Sequence, residues 1–197
     1  MEKKPVIFSG EMVKAILEGR KTQTRLVIKP QPKLKTYNNP EQKFWIWKDC
    51  NWLDGGIGLP SSGIEDHAPY KPGDVLYVKE TWRSIGFVAS FFEYKADFPH
   101  ESVIPWKSPI LMPKRAARIF LRVVDVSVER LQKITSTDMW NEGCLPENIN
   151  QEEIGVHDEW LQKYWIPLWN RTNAKRGYTW ESNPWVWVIE FERTEKP

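Results

Sequence analysis

The stretch ARIFLRVVDVSVERL, residues 117–131, limits the fold more than any other part of the chain. Ile119, Leu121 and Val123 alternate with Phe120 and Arg122, the period-2 pattern of a strand with one face in a core. Val124, Val126 and Val128 then continue on the opposite parity. Side chains alternate strictly along a strand, so a buried face changes parity only where a residue is inserted. The shift therefore predicts a β-bulge or strong bend near Val123–Val124, as in a small barrel. The closing stretch NPWVWVIEFER alternates as well and reads as a final strand.

Shorter signals place the other elements. Pro5–Phe8 reads as a strand, and Ser9 as the N-cap of a helix whose Met12, Val13, Ile16 and Leu17 share one face. Gly19 is a natural stop, and extended structure resumes from Thr24 to Ile28. Residues 29–72 are rich in Pro, Gly, Asn and Ser and read as an insertion, with a small hairpin within FWIWKDCNWL. Pro72–Gly73–Asp74 forms a turn into a strand over Val75–Lys79, and FFEYKAD is a further strand within a second insertion, 83–117. Thr135 or Ser136 caps a short helix that ends at Gly143, and a longer helix covers Glu152–Tyr164 and continues past Pro167. The order predicts one α+β domain, a closed or half-closed sheet with helices at its ends.

The chain has 197 residues, with 41% hydrophobic and 27% charged, which is long enough to bury a real core. Twelve tryptophans are the unusual feature of the composition: most suit core packing, and some suit platforms for flat partners. Net charge is only +2, but residues 1–48 hold eleven Lys or Arg against four Asp or Glu. That basic segment fits either a phosphate-bearing ligand or a solvated loop. Cys50 and Cys144 form no CxxC, and His67, His100 and His157 are scattered, so no metal site and no cofactor is expected. No apolar run reaches membrane-spanning length and the first residues lack a signal-peptide core, so a soluble cytoplasmic protein is expected, without a membrane partner.

GRKTQTRLVIKP, residues 19–30, packs Lys21, Thr22, Thr24 and Arg25 into a helix-to-strand handover. One reading is a helix exit with solvated cations, which suit the end of a helix dipole. The other is a lysine beside a threonine hydroxyl, a base next to a nucleophile.

ILEGRKTQTR, KPGDVLYVKETW, LQKITSTDMWNEG and WVWVIEFER, in this order, resemble the ASCH domain family of the PUA-like superfamily, and most of all its long bacteriophage and prophage members. MPKRAARI is a further landmark of that resemblance. It implies a small PUA-like β-barrel with flanking helices and long loop insertions. Small members of the family include amidohydrolases that deacetylate N4-acetylcytidine, and others are described as RNA-binding or RNA-cleaving. Carried over by position, the resemblance implies Lys21, Thr24 and Glu142 as the catalytic set. Arg20 and Arg25 flank that set as candidate holders of a phosphate or carboxylate, with Glu80 on the pocket wall and Trp82 as a base-stacking candidate. Lys114, Arg115 and Arg118 are candidate backbone-phosphate contacts, or a polar loop before a strand. The functional expectations are a hydrolase of an N-acylated pyrimidine nucleoside or, alternatively, a noncatalytic RNA-binding module. The partner is accordingly a modified nucleoside or RNA. A phage assembly role has no residue signature, and the oligomeric state is not legible.

Overall fold

The computed structural model describes residues 3–36, 43–46, 59–60, 67–85, 91–98, 103–144 and 157–196. In chain order the elements are β1 (Lys3–Ile7), α1 (Gly10–Leu17), β2 (Gln23–Val27), β3 (Lys33–Thr36), β4 (Lys43–Ile46), β5 (Leu59–Pro60), β6 (Val75–Lys79), β7 (Trp82–Ile85) and β8 (Phe91–Tyr94). After these come β9 (Phe120–Arg130), α2 (Ser136–Asn141), α3 (His157–Trp160), α4 (Ile166–Asn173) and β10 (Trp185–Thr194). The main sheet has the order β1-β6-β9-β10-β2, with β1 parallel to β6 and the other pairings antiparallel. Residues from the first insertion form a separate sheet β3-β4-β5, and β7 pairs with β8. Of the expected FWIWKDCNWL hairpin, residues 44–46 belong to β4 and 47–53 lie outside the described residues.

The expected parity shift is present in the long strand. Glu190 opposes Asp125 and Phe191 opposes Val123, so Val124 is the extra residue and points to solvent. Leu121, Val123 and, beyond the bulge, Val126 belong to one core together with Val13 and Ile16 of α1 and Trp187 and Ile189 of β10. Val186 and Val188, of opposite parity on β10, face a second core with Met139, Trp160, Trp165 and Trp169. Helices thus cover both faces. The expected barrel is corrected to an α+β arrangement around an open sheet. Its edge strands β1 and β2 are joined by α1 rather than by a hydrogen-bonded ladder, and among the described residues no strand closes the sheet between them.

The local signals hold where they have a physical partner. Ser9 Oγ accepts the Met12 N–H at 3.3 Å, and Gly19 takes φ +78° just past α1. Thr135 and Asp138 form a reciprocal capping box at α2. The late helix is described from His157, and a π-helical turn over Leu161–Trp165 precedes α4. Pro167 lacks an N–H and would crowd the carbonyl four residues back in a regular helix; that carbonyl lies within the wider turn. Among the described residues no helix is long and apolar enough to cross a membrane.

Candidate functional site

The handover from α1 to β2 is stitched into place by its backbone. Arg20 and Lys21 N–H groups both donate to Ala15 O, at 2.9 and 3.0 Å. Thr22 N–H donates to Asn141 O at 2.8 Å, and Thr22 O accepts from Phe191 N–H at 2.8 Å. These bonds tie the loop to the end of α2 and to β10. Gly143 closes the junction at φ +66°, where a β-carbon would stand 2.7 Å from Ala15 Cβ and 2.9 Å from Lys21 Cβ.

Held this way, Lys21 points inward and is only 2% exposed. Its ammonium donates to Gln23 O at 2.7 Å, to Glu142 O at 2.9 Å and to Glu142 Oε2 at 2.9 Å, and lies 5.4 Å from the Phe8 ring centre. Glu142 is 3% exposed and its other oxygen accepts from Arg25 at 3.2 Å. Arg25 also donates to Glu129 Oε1 at 2.9 and 2.7 Å and approaches Asp138 Oδ2 at 3.2 Å. Burial disfavours the Arg25 charge, but the carboxylates of Glu142, Glu129 and Asp138 outweigh it and hold its pKa above the ordinary value. Burial pulls the Asp138 pKa up. Hydrogen bonds from Thr135, the Arg25 charge and a hydrogen bond from Gln23 prevail, so its carboxyl lies below the usual range.

Thr24 is buried beside this network but faces away from Arg25. It pairs with Ile189, a member of the first core, whereas Arg25 pairs with Val188 of the second. No hydrogen bond among the described residues joins the Thr24 hydroxyl to Lys21 or Glu142. Glu142, Gly143 and Cys144 line a cavity of about 440 Å³, whose other described walls include Met12 and Lys14 of α1, Arg20, and Tyr164 and Leu168 of the late helix. Burial, reinforced by the Glu142 charge, pushes the Cys144 thiol up to about 12, which leaves it an unreactive thiol at neutral pH.

Arg25 belongs to this network and Arg20 to the cavity edge, whereas Glu80, Trp82, Lys114, Arg115 and Arg118 lie apart from both. Arg25 was expected to hold a phosphate or carboxylate of a ligand; its side chain is instead buried and meets three carboxylates of the chain itself. Glu80 was expected on the same pocket wall; its carboxylate instead accepts from Arg118 at 2.9 and 3.1 Å, and its N–H donates to Met112 Sδ. Arg118, expected to meet phosphate, divides its guanidinium between Glu80 and Asp97 and lies 4.0 Å over the Tyr94 ring. Trp82 is packed in a third core with Val75 and Phe120, edge-on to Phe92. Lys114 and Arg115 sit on a short helical turn at the surface, with Lys114 5.7 Å from the Tyr77 ring. Arg20 pairs with Glu18 at the cavity edge. Cys50 and His100 lie outside the described residues.

Sequence reasoning missed Gln23, Glu129 and Asp138 as parts of the network. Only the Thr135–Asp138 capping-box spacing carried a signal, and it reports a helix start rather than a partner for Arg25.

No protein-family model matches the chain, and no curated protein matches it. Among solved structures it is similar to protein EF3133 from Enterococcus faecalis V583, of family model DUF984, at 11% identity over 99% of this chain and 82% of that one, with a TM-score of 0.46. A likeness of that size carries no argument about fold or function.

Proposed function

We propose that the chain is an ASCH-type, PUA-like protein that hydrolyses the acyl amide of an N-acylated pyrimidine nucleoside such as N4-acetylcytidine. One observation carries the reading: Lys21 and Glu142 form a buried pair at 2.9 Å, and Glu142 faces a cavity of nucleoside scale. In the resting geometry Lys21 Nζ donates three hydrogen bonds, all to oxygen. Moving one proton along the Lys21–Glu142 bond converts the pair into an amine and a carboxylic acid. Those are the two forms that amide hydrolysis needs, a base for the nucleophile and an acid for the leaving nitrogen. The nucleophilic oxygen attacks the acyl carbon and gives its proton to Lys21. The C–N bond breaks as the exocyclic nitrogen takes the proton from Glu142. If Thr24 is the nucleophile, water then releases its acyl ester as acetate; direct attack by water gives acetate in one stage. The alternative, an RNA-binding module, draws less support from the site, because Arg118 is taken up by carboxylates and Trp82 is buried.

Acetate release from N4-acetylcytidine and related N-acylated pyrimidine nucleosides tests the reading. Glu142→Gln should lower turnover by roughly 100-fold or more. Thr24→Val keeps shape and removes the hydroxyl, so a loss of similar size identifies Thr24 as nucleophile and retained turnover identifies water. A wild-type protein that releases no acetate from any of these compounds sinks the proposal.

A further inference from the structure

The cavity in front of Glu142 carries its positive charge on two facing elements. Lys14 of α1 and Arg20 just beyond it stand on one side, and Lys163 and Arg171 of the late helix on the other. Against these four cations the described lining holds two carboxylates, Glu11 and Glu142, and Arg20 is already paired with Glu18. Glu11 already accepts from Arg171 at 3.0 Å, and Glu142 is held by Lys21 and Arg25. Lys14 and Lys163 are exposed, and among the described residues no carboxylate lies within ion-pair distance of either. The rest of the described lining includes Met12, Tyr164 and Leu168 as apolar and aromatic wall, with Glu142 beside them.

We infer that this cavity takes its pyrimidine as a nucleoside monophosphate, with the base against the Tyr164 wall near Glu142 and the phosphate between Lys14 and Lys163. The inference rests on the proposed hydrolase reading for the base and deepens it by naming the phosphorylated substrate class. Two considerations favour it. A phosphate monoester carries about −1.5 to −2 charge at neutral pH, which matches the two exposed lysines of the described lining, Lys14 and Lys163. A concave site with low-dielectric walls also strengthens the field of those cations at its mouth. Size favours a mononucleotide over a polymer: about 440 Å³ is near the low end of the roughly 300–1,000 Å³ typical of small-molecule sites. Single-strand binders add a row of exposed aromatic platforms. Among the described aromatic residues only Phe91 and Phe98 are exposed, and neither lines the cavity.

Calorimetric titration of the full chain with cytidine, cytidine 5′-monophosphate and inorganic phosphate tests the inference, beside turnover of N4-acetylcytidine and its 5′-monophosphate. At about 50 mM salt the monophosphate should bind at least about tenfold tighter than the nucleoside. The preference should shrink severalfold at about 500 mM salt, because exposed charges are screened. It should fall below about threefold in a Lys14→Ala/Lys163→Ala variant; both side chains are exposed, so the fold is kept. Equal binding of cytidine and its monophosphate overturns the inference, while acetate release from N4-acetylcytidine still upholds the hydrolase reading. A monophosphate preference without acetate release from either compound keeps the inference and removes the hydrolase. A preference unchanged in the double variant overturns the placement of the phosphate. A ten-nucleotide RNA that binds at least about tenfold tighter than the monophosphate overturns the mononucleotide class in favour of a polymer.

Discussion

Lys21 and Arg25 leave the same short loop-and-strand segment and converge on one carboxylate, Glu142, from two sides. Removing either cation strands charge away from water, and the cost depends on how dry the site is. The Lys21–Glu142 side chains are 0% and 3% exposed, whereas the Arg171–Glu11 pair at the cavity edge is 64% and 76% exposed. Breaking a buried pair typically costs about 3–5 kcal/mol and an exposed one less than about 1 kcal/mol. Lys21→Met should therefore lower the urea midpoint strongly. Lys21→Met/Glu142→Leu should recover a large part of that loss, and Arg171→Met should change little. Equal midpoints for Lys21→Met and Arg171→Met would mean that Glu142 is solvated rather than sealed. Both members of this pair were singled out in sequence as parts of a catalytic set with Thr24, not as partners of each other. The fate of Arg25 was not legible, because nothing in its own neighbourhood announces Glu129 or Asp138.

The element that fixes this geometry is the junction of α1, β2 and the end of α2. Gly143 is legible in sequence as a helix stop, and its φ of +66° agrees with that role. The structure adds a second demand, the close approach of Ala15 and Lys21 to the place a side chain would occupy. Gly143→Ala combines left-handed backbone strain of about 1–2 kcal/mol with overpacking of about 1–3 kcal/mol. It should destabilise by roughly 2–5 kcal/mol and push Lys21 away from Glu142. Thr135→Ala removes the cap at the other end of α2 together with the hydroxyl bond to Asp138, and should cost about 0.5–2 kcal/mol. Denaturant unfolding of both variants checks the ranking. A Gly143→Ala protein as stable as wild type would show that α1 and α2 shift apart freely.

Across the whole molecule, two carboxyls give stability opposite dependences on pH. Asp138 has its folded pKa held below the ordinary 3.8, so its contribution is complete above that value and is lost as pH falls towards the lower folded one. Glu80 is raised above 4.5 by burial, against the opposing hydrogen bonds and charge of Arg118 and with the help of Asp97. Its contribution is complete below 4.5 and is lost as pH rises through the raised value. Urea midpoints should therefore fall below about pH 4 in a way that Asp138→Asn flattens, and decline above about pH 4.5 in a way that Glu80→Gln flattens. Unchanged slopes in both variants would remove these two groups as the cause. The same scale separates what sequence settles from what it leaves to the tertiary structure. Alternation, caps and turn residues determined most strands, the α1 and α2 boundaries and the bulge at Val124, because each is a local pattern imposed by backbone geometry. Which tryptophans are buried, whether the sheet closes, and that Glu80 belongs with Arg118 rather than Lys21 were decided only by the folded chain. Lys21 and Glu142 stand 121 residues apart, and charges at that separation become partners only when strand order and helix packing bring them together and exclude water.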